Sequence, residues 1–175
     1  NLKFNKKKKN KKNYFLVLMI NTKRGIFFIK NVDYIKKNFK LNFKDIIWDK
    51  LSKSMIKNIL EFAKKNQDVE FIFKIKSPIT SEKDLKDLGL ENLPYDSKLS
   101  NCKIIHDINT GRLIKDAKAI IGFNTTSLVE SLIVNKPIIV PIFDINKKNV
   151  LKNLKLNLGS CVYYAKNDDE FQSLL

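Results

Sequence analysis

Residues 116–141 read DAKAIIGFNTTSLVESLIVNKPIIVP, and the succession of residue types in this stretch decides the fold. Ala119 to Phe123 is apolar without interruption and carries β-branched Ile120 and Ile121, the pattern of a strand covered on both faces. Gly122 lets the backbone come close to a ligand. Asn124 and Thr125 are helix-capping residue types, and Thr125 to Val134 is expected to be helical. Asn135 suits the left-handed position past a helix end, Pro137 follows, and Pro137 to Ile142 forms a second apolar strand. A strand, a helix and a strand in so short a span make a βαβ unit of a parallel sheet.

The turn into that helix carries the chemistry. A helix start leaves backbone N–H groups free and bears partial positive charge, which suits a diphosphate. Thr125, Thr126 and Ser127 add hydroxyl donors. Glu130 lies four residues after Thr126 and three after Ser127, on one helix face. A carboxylate one turn beyond a phosphate site is placed to accept hydrogen bonds from ribose hydroxyls. The same spacing also fits an ordinary capped helix of an α/β core. Leu128, Val129, Leu132 and Ile133 are expected to be core.

Outward from this unit, strands and helices keep alternating. Tyr14 to Asn21 reads as a strand, Thr22 to Gly25 as a loop, and Ile26 to Ile29 as a further short strand. Asn42 or Asp45 caps a helix reaching about Lys65. Its apolar positions are Ile46, Ile47, Leu51, Met55, Ile59, Leu60 and Ala63, with Lys50, Lys53, Lys57 and Lys64 opposite. Trp48 is expected at its rim or in its packing. Val69 to Ser77 is a strand ended by Pro78. A short helix to Leu90 follows, capped by Ser81. Lys103 to His106 is a strand, Thr110 to Ala117 a helix capped by Asp107 or Thr110, and Arg112 can pair with Asp116 or a phosphate. Cys161 to Ala165 is a strand, and a last helix starts at Asp168. The expected fold class is α/β: a Rossmann-like three-layer α/β/α arrangement with a mostly parallel sheet. Ligands of such sheets sit beyond the carboxyl ends of the strands.

Composition narrows the function. An apolar share of 43% supplies a core, so a disordered chain is excluded. The net charge of +16 raises a nucleic-acid reading, but the basic residues are almost all Lys, with Arg only at 24 and 112. Lys filling solvated positions accounts better for that balance, and nucleic acid is not an expected partner. Cys102 and Cys161 are far apart without a CxxC context, and are read as buried, reduced thiols. His106 is the only His, so no zinc set can form around it and no metal is expected. No HExxH, GKS-type phosphate loop, GxSxG or GxGxxG pattern is present. Tyr14 to Ile20 follows a basic stretch, but no small-residue cleavage site comes after it, so it is a buried strand rather than a signal segment. No apolar run is long enough to span a membrane.

The segment Leu113 to Phe143, LIKDAKAIIGFNTTSLVESLIVNKPIIVPIF, resembles the donor-binding segment of GT-B glycosyltransferases, in particular bacterial enzymes of surface-carbohydrate and capsular-polysaccharide biosynthesis. The shared pattern is an alanine-preceded strand (Ala119), Gly-Phe-Asn (Gly122 to Asn124), a Ser/Thr pair (Thr125, Thr126), a Glu in mid-helix (Glu130) and Lys-Pro before the next strand (Lys136-Pro137). The resemblance implies that the Ser/Thr turn holds the donor diphosphate and the Glu holds the ribose. The family's usual Glu-Ala is Glu130-Ser131 here. Upstream, FIFKIKSP (Phe71 to Pro78) resembles the Lys-x-Lys or Lys-x-His-Pro signature of these transferases. Lys76, at the carboxyl end of the strand, is the cation expected at a donor phosphate. Ser77 stands where the family often has His, which takes an acid/base role away from this position.

On this reading the diphosphate set is Gly122, Asn124, Thr125, Thr126, Ser127, Lys76 and Arg24, the last from a loop that approaches donor or acceptor in the family. Glu130 is the ribose ligand, and His106 and Asp107 are base-binding or peripheral. The resemblance covers the C-terminal half of a GT-B enzyme. Residues 1–13 are expected to be a basic linker, and 14–175 a nucleotide-sugar-binding domain. Asn1 in place of Met and the apolar ending suggest a piece of a longer protein. The N-terminal acceptor-binding half, which commonly supplies the base, is expected outside the chain, so no catalytic residue is named. The implied partners are a nucleotide sugar, which is substrate rather than cofactor, and a polysaccharide or lipid-linked acceptor; no cofactor is expected. The implied location is the cytoplasm. Lys6 to Lys12 offers peripheral contact with the anionic inner membrane face, at about 1 kcal/mol per Lys near such a surface. A sugar-nucleotide epimerase of the same fold is the alternative, and a basic nucleic-acid-binding module is a third.

Overall fold

Six strands lie in one sheet whose neighbours are all parallel: β1 (Tyr14–Leu18), β2 (Glu70–Lys74), β3 (Cys102–Ile105), β4 (Ala119–Gly122), β5 (Ile138–Pro141) and β6 (Val162–Ala165). Their order is β3-β2-β1-β4-β5-β6. The computed structural model describes residues 14–20, 48–76, 78–91, 93, 99–123, 125–143 and 160–175, without the side chains of Trp48, Asp49 and Asp87. Among the described residues, five helices join or follow the strands: α1 (Trp48–Lys65), α2 (Glu82–Leu88), α3 (Thr110–Asp116), α4 (Ser127–Ile133) and α5 (Asp168–Leu174).

The chain leaves β1 toward β2 on one side and later returns to β4 on the other. Right-handed crossovers therefore place α1 on one face and α3 and α4 on the opposite face. This is the expected three-layer α/β/α arrangement. All of β1 is buried, as a central strand covered on both faces must be. Phe15 and Phe71, register partners on β1 and β2, stack with centroids 5.3 Å apart, and Phe62 of α1 meets Phe71 edge-on at 6.1 Å. Helix α1 buries Leu51, Met55, Ile59 and Ala63 as its spacing predicts, and also Ile56. Helix α5 docks beside α1 through Asn58, whose Nδ2 donates to Asp168 Oδ1 at 2.9 Å and whose carbonyl accepts from Gln172 Nε2 at 2.7 Å.

Several sequence expectations need correction. Strand β1 stops at Leu18, although Met19 N still donates to Lys74 O at 3.0 Å. Strand β2 is confined to Glu70–Lys74, the five residues in register with β1, although Ile75 N still donates to Ile105 O at 3.0 Å. Helix α4 starts at Ser127, two residues later than expected. Of its four expected core residues, Leu128 is buried and Leu132 packs against the core, while Val129 (44%) and Ile133 (77%) are exposed. A seven-residue helix covers the sheet with a narrow stripe, and Ser131 fills that stripe fully buried, its hydroxyl donating to Ser127 O at 2.7 Å. Cys102 and Cys161 are thiols rather than a disulfide, and are half-buried rather than buried. The expected strand at Ile26 to Ile29, the caps Asn42 and Asp45, and the basic linker 1–13 lie outside the described residues. Among the described residues no helix is long and apolar enough to cross a membrane.

Candidate functional site

The strand order creates a crevice at one place. Connections leave β1 and β4 in opposite directions, so the carboxyl ends of these two strands border a space no crossover fills. Gly122 closes β4, register partner of Leu18 at the end of β1. A Cβ at Gly122 would lie 3.2 Å from Leu18 Cβ and 3.3 Å from Leu18 O. The close approach seen at this glycine is therefore to β1, which draws the two strand ends together beneath the crevice.

The start of α4 rises directly from that edge. Ser81, Asn109 and Asn167 cap α2, α3 and α5, each accepting a hydrogen bond from a first-turn N–H. Thr126 precedes α4 in an already helical conformation (φ −62°, ψ −27°), and its side chain makes no cap bond. Thr125 O accepts from Leu128 N at 3.2 Å and Thr126 O from Val129 N at 2.9 Å, so the backbone winds up without side-chain help. The Thr125 and Thr126 hydroxyls have no partner among the described residues. Thr126 and Glu130 are exposed and Ser127 half-buried. Thr125, Thr126, Ser127 and Glu130 are thus brought together on one turn, beside Gly122. Asn124 and Arg24 lie outside the described residues, as does Ser77.

A second group sits along the same edge at the ends of β2 and β3. His106 and Asp107 are exposed in the loop after β3, and Lys76 is exposed beyond the end of β2. The cap of α3 is Asn109, whose Oδ1 accepts from Arg112 N at 3.2 Å, so neither Asp107 nor Thr110 serves. Arg112 forms no ion pair with Asp116 among the described residues. Lys74 reads from the sequence as the companion of Lys76 on one side of β2, as much a solvent-exposed strand end as a phosphate cation, and in the fold it is turned inward. It is the last residue of β2 and 9% exposed, and its Nζ donates to Ile75 O at 2.7 Å and His106 O at 2.8 Å. Burial pushes its pKa down, and the Asp107 carboxylate opposes that shift. Lys74 alternates with Ile72 on the strand, so the signal was present, but nothing local shows that the ammonium turns back onto two carbonyls. Two strand spacings from the end of β2, about 10 Å, and three from the end of β3, about 14 Å, separate this group from the start of α4. Among the described residues, no cluster of three His, Cys, Asp or Glu side chains could hold a metal ion.

Parallel strands in this order, with helices on both faces and an open crevice at the switch point, make the chain a Rossmann-like α/β domain of the kind that forms one half of GT-B proteins. Crystal structures of UDP-GlcNAc 2-epimerase from Methanocaldococcus jannaschii are similar to it. The one in complex with UDP-GlcNAc and UDP has a TM-score of 0.50 and 19% identity over 91% of this chain and 36% of that one. A second has a TM-score of 0.50 and 20% identity over 92% and 37%. The pneumococcal O-GlcNAc transferase GtfA, in complex with UDP and GlcNAc, has a TM-score of 0.48 and 10% identity over 94% of this chain and 27% of that one. The chain spans about a third of the length of these proteins. No protein-family model matches the sequence, and no curated protein matches it.

Proposed function

We propose that this chain is the nucleotide-sugar-binding half of a glycosyltransferase that builds a surface polysaccharide. The observation that carries the reading is the start of α4 at the switch point, where the Thr125 and Thr126 hydroxyls have no partner among the described residues and flank first-turn N–H groups. A donor diphosphate there receives hydrogen bonds from Thr125, Thr126 and Ser127 and the partial positive charge of the helix end. Arg24 and Lys76 complete its neutralisation, and Asn124 adds an amide donor. Glu130, one turn on, accepts from the ribose hydroxyls. Catalysis in such a site is positioning plus stabilisation of the leaving diphosphate, with no metal required. A second α/β half would close the cleft and supply the acceptor site and the base. The acceptor is a polysaccharide or lipid-linked chain on the cytoplasmic side of the membrane, where the basic residues 1–13 can meet anionic head groups.

Calorimetric titration with nucleoside diphosphates tests this. Wild type binds one of them, and Glu130→Ala weakens that binding about tenfold, the scale of hydrogen bonds to a charged group. Unchanged affinity in the variant sinks the ribose role. A sugar-nucleotide epimerase is the second reading, favoured by the similarity to the two M. jannaschii 2-epimerase structures. Product analysis with a nucleotide sugar separates the two, giving transferred sugar in one case and an epimerised donor in the other.

A further inference from the structure

Lys74 is a buried charge at the ligand edge of the sheet, and the proposed roles at α4 leave it unused. Its ammonium spans the exits of two neighbouring strands, bonding Ile75 O at 2.7 Å just past β2 and His106 O at 2.8 Å just past β3. The last rung between these strands is Ile75 N to Ile105 O at 3.0 Å. Lys74 therefore continues the joint one step beyond the ladder. Carbonyls at a sheet edge are ordinarily satisfied by water, and burying a charge costs free energy that an apolar residue would avoid. What the ammonium adds is a dry, fixed anchor for the loop that begins at His106. That loop presents His106, Asp107 and Ile108 to solvent on the crevice edge.

We infer that Lys74 is a positioning residue for nucleoside recognition: it holds the loop from His106 to Ile108 where the side chains of His106 and Asp107 meet the nucleoside of a ligand whose diphosphate lies at the start of α4. This rests on the nucleotide-sugar reading above and assigns the β2–β3 exit to the nucleoside end. His106 and Asp107 follow β3, three strand spacings or about 14 Å from β4, a span that suits a nucleoside diphosphate lying across the strand ends.

The test compares wild type with Lys74→Met, which keeps the side-chain length and removes the donors, and Lys74→Arg, which keeps charge and donors. Each full chain is titrated with UDP, CDP, GDP and ADP and with inorganic pyrophosphate, and hydrogen exchange is followed in peptides covering residues 103–110. Lys74→Met is expected to bind the preferred nucleoside diphosphate about tenfold more weakly, the scale of a charge-assisted hydrogen bond. Its pyrophosphate affinity stays at the wild-type level, exchange after His106 speeds up, and Lys74→Arg recovers most of the loss. Equal losses for pyrophosphate and nucleotide, or unchanged nucleotide affinity, overturn the inference. Should Lys74→Met not fold, Ile108→Gly loosens the same loop from an exposed position and is expected to give the same nucleoside-selective loss; no loss overturns the inference. A wild type that binds none of the nucleotides removes the proposed function and this inference together. A wild type that binds, with variants that match it, removes this inference alone.

Discussion

Tyr14 shows how much a single side chain carries that its neighbours in sequence cannot reveal. Read locally, it is the first apolar residue of a strand. In the fold it is 1% exposed, and its hydroxyl donates to Leu113 O at 2.7 Å, tying β1 to α3 across 99 positions. Tyr14→Phe is expected to lower stability by about 1 kcal/mol in urea unfolding, because Leu113 O loses one of its two donors and keeps only Ala117 N, at 3.0 Å. Burial, then the charges of Asp116 and Glu70, push the Tyr14 pKa from 10.0 up to about 12. The fold thus holds this proton more tightly than the unfolded chain does. Its contribution is complete below pH 10 and is lost as the pH rises toward about 12. Wild-type stability should fall more steeply than that of Tyr14→Phe across this window. Gly122 makes a similar point. Its type was legible as a site of close approach, but the partner, Leu18, came only with the pairing of β1 and β4.

At the scale of elements, boundaries follow capping chemistry where that chemistry is local. Ser81 and Asp84 form a reciprocal capping box, and Gly89 ends α2 at φ +71°. The Ser81 cap is legible in the order of residue types, but the helix ends at Leu88, two residues short of the expected Leu90, because Gly89 turns left-handed. Gly89→Ala should cost about 1 kcal/mol or more in unfolding experiments, since an L side chain is strained at this φ. Its Cβ would also sit 3.1 Å from Ile56 Cδ1, which must shift. Hydrogen bonds from Thr80, backbone first, and from Ser81 hold the Asp84 pKa below its ordinary 3.8. Its contribution is present above that value and is lost as the pH falls below it. Acid unfolding monitored by circular dichroism should therefore show a shallower decline for Asp84→Asn than for wild type. Helix α4 misled for the opposite reason: two Thr in a row look like a cap, yet neither caps. Its start was displaced toward Glu130 because the turn closes through backbone bonds from Thr125 O and Thr126 O.

For the whole molecule, closure depends on the last helix. Phe171 is fully buried and meets Phe143 edge-on at 5.6 Å, joining α5 to the residues just past β5. Phe171→Ala is expected to cost about 3–5 kcal/mol, because the cavity lies under a short helix with few other anchors. Denaturant unfolding followed separately at α5 and at the sheet would show whether the loss is global. The charge of +16 belongs to this scale too. Its densest run, Lys6 to Lys12, precedes β1 and lies outside the described residues.

The alternation of apolar strands with helical spacing determined the α/β class, and the segment from Asp116 to Pro141 determined one βαβ unit within it. Both are local signals, because a doubly covered strand must be apolar throughout and a helix must repeat near 3.6 residues. The tertiary structure alone decided that β1 is central and that its junction with β4 makes the crevice, since strand order is a matter of distant pairing. It alone decided that Ser131 is buried while Ile133 is not, because a short helix buries only what faces the sheet. It also decided that Lys74 is the one Lys buried among the described residues, because the two carbonyls that hold it meet where β2 and β3 end side by side.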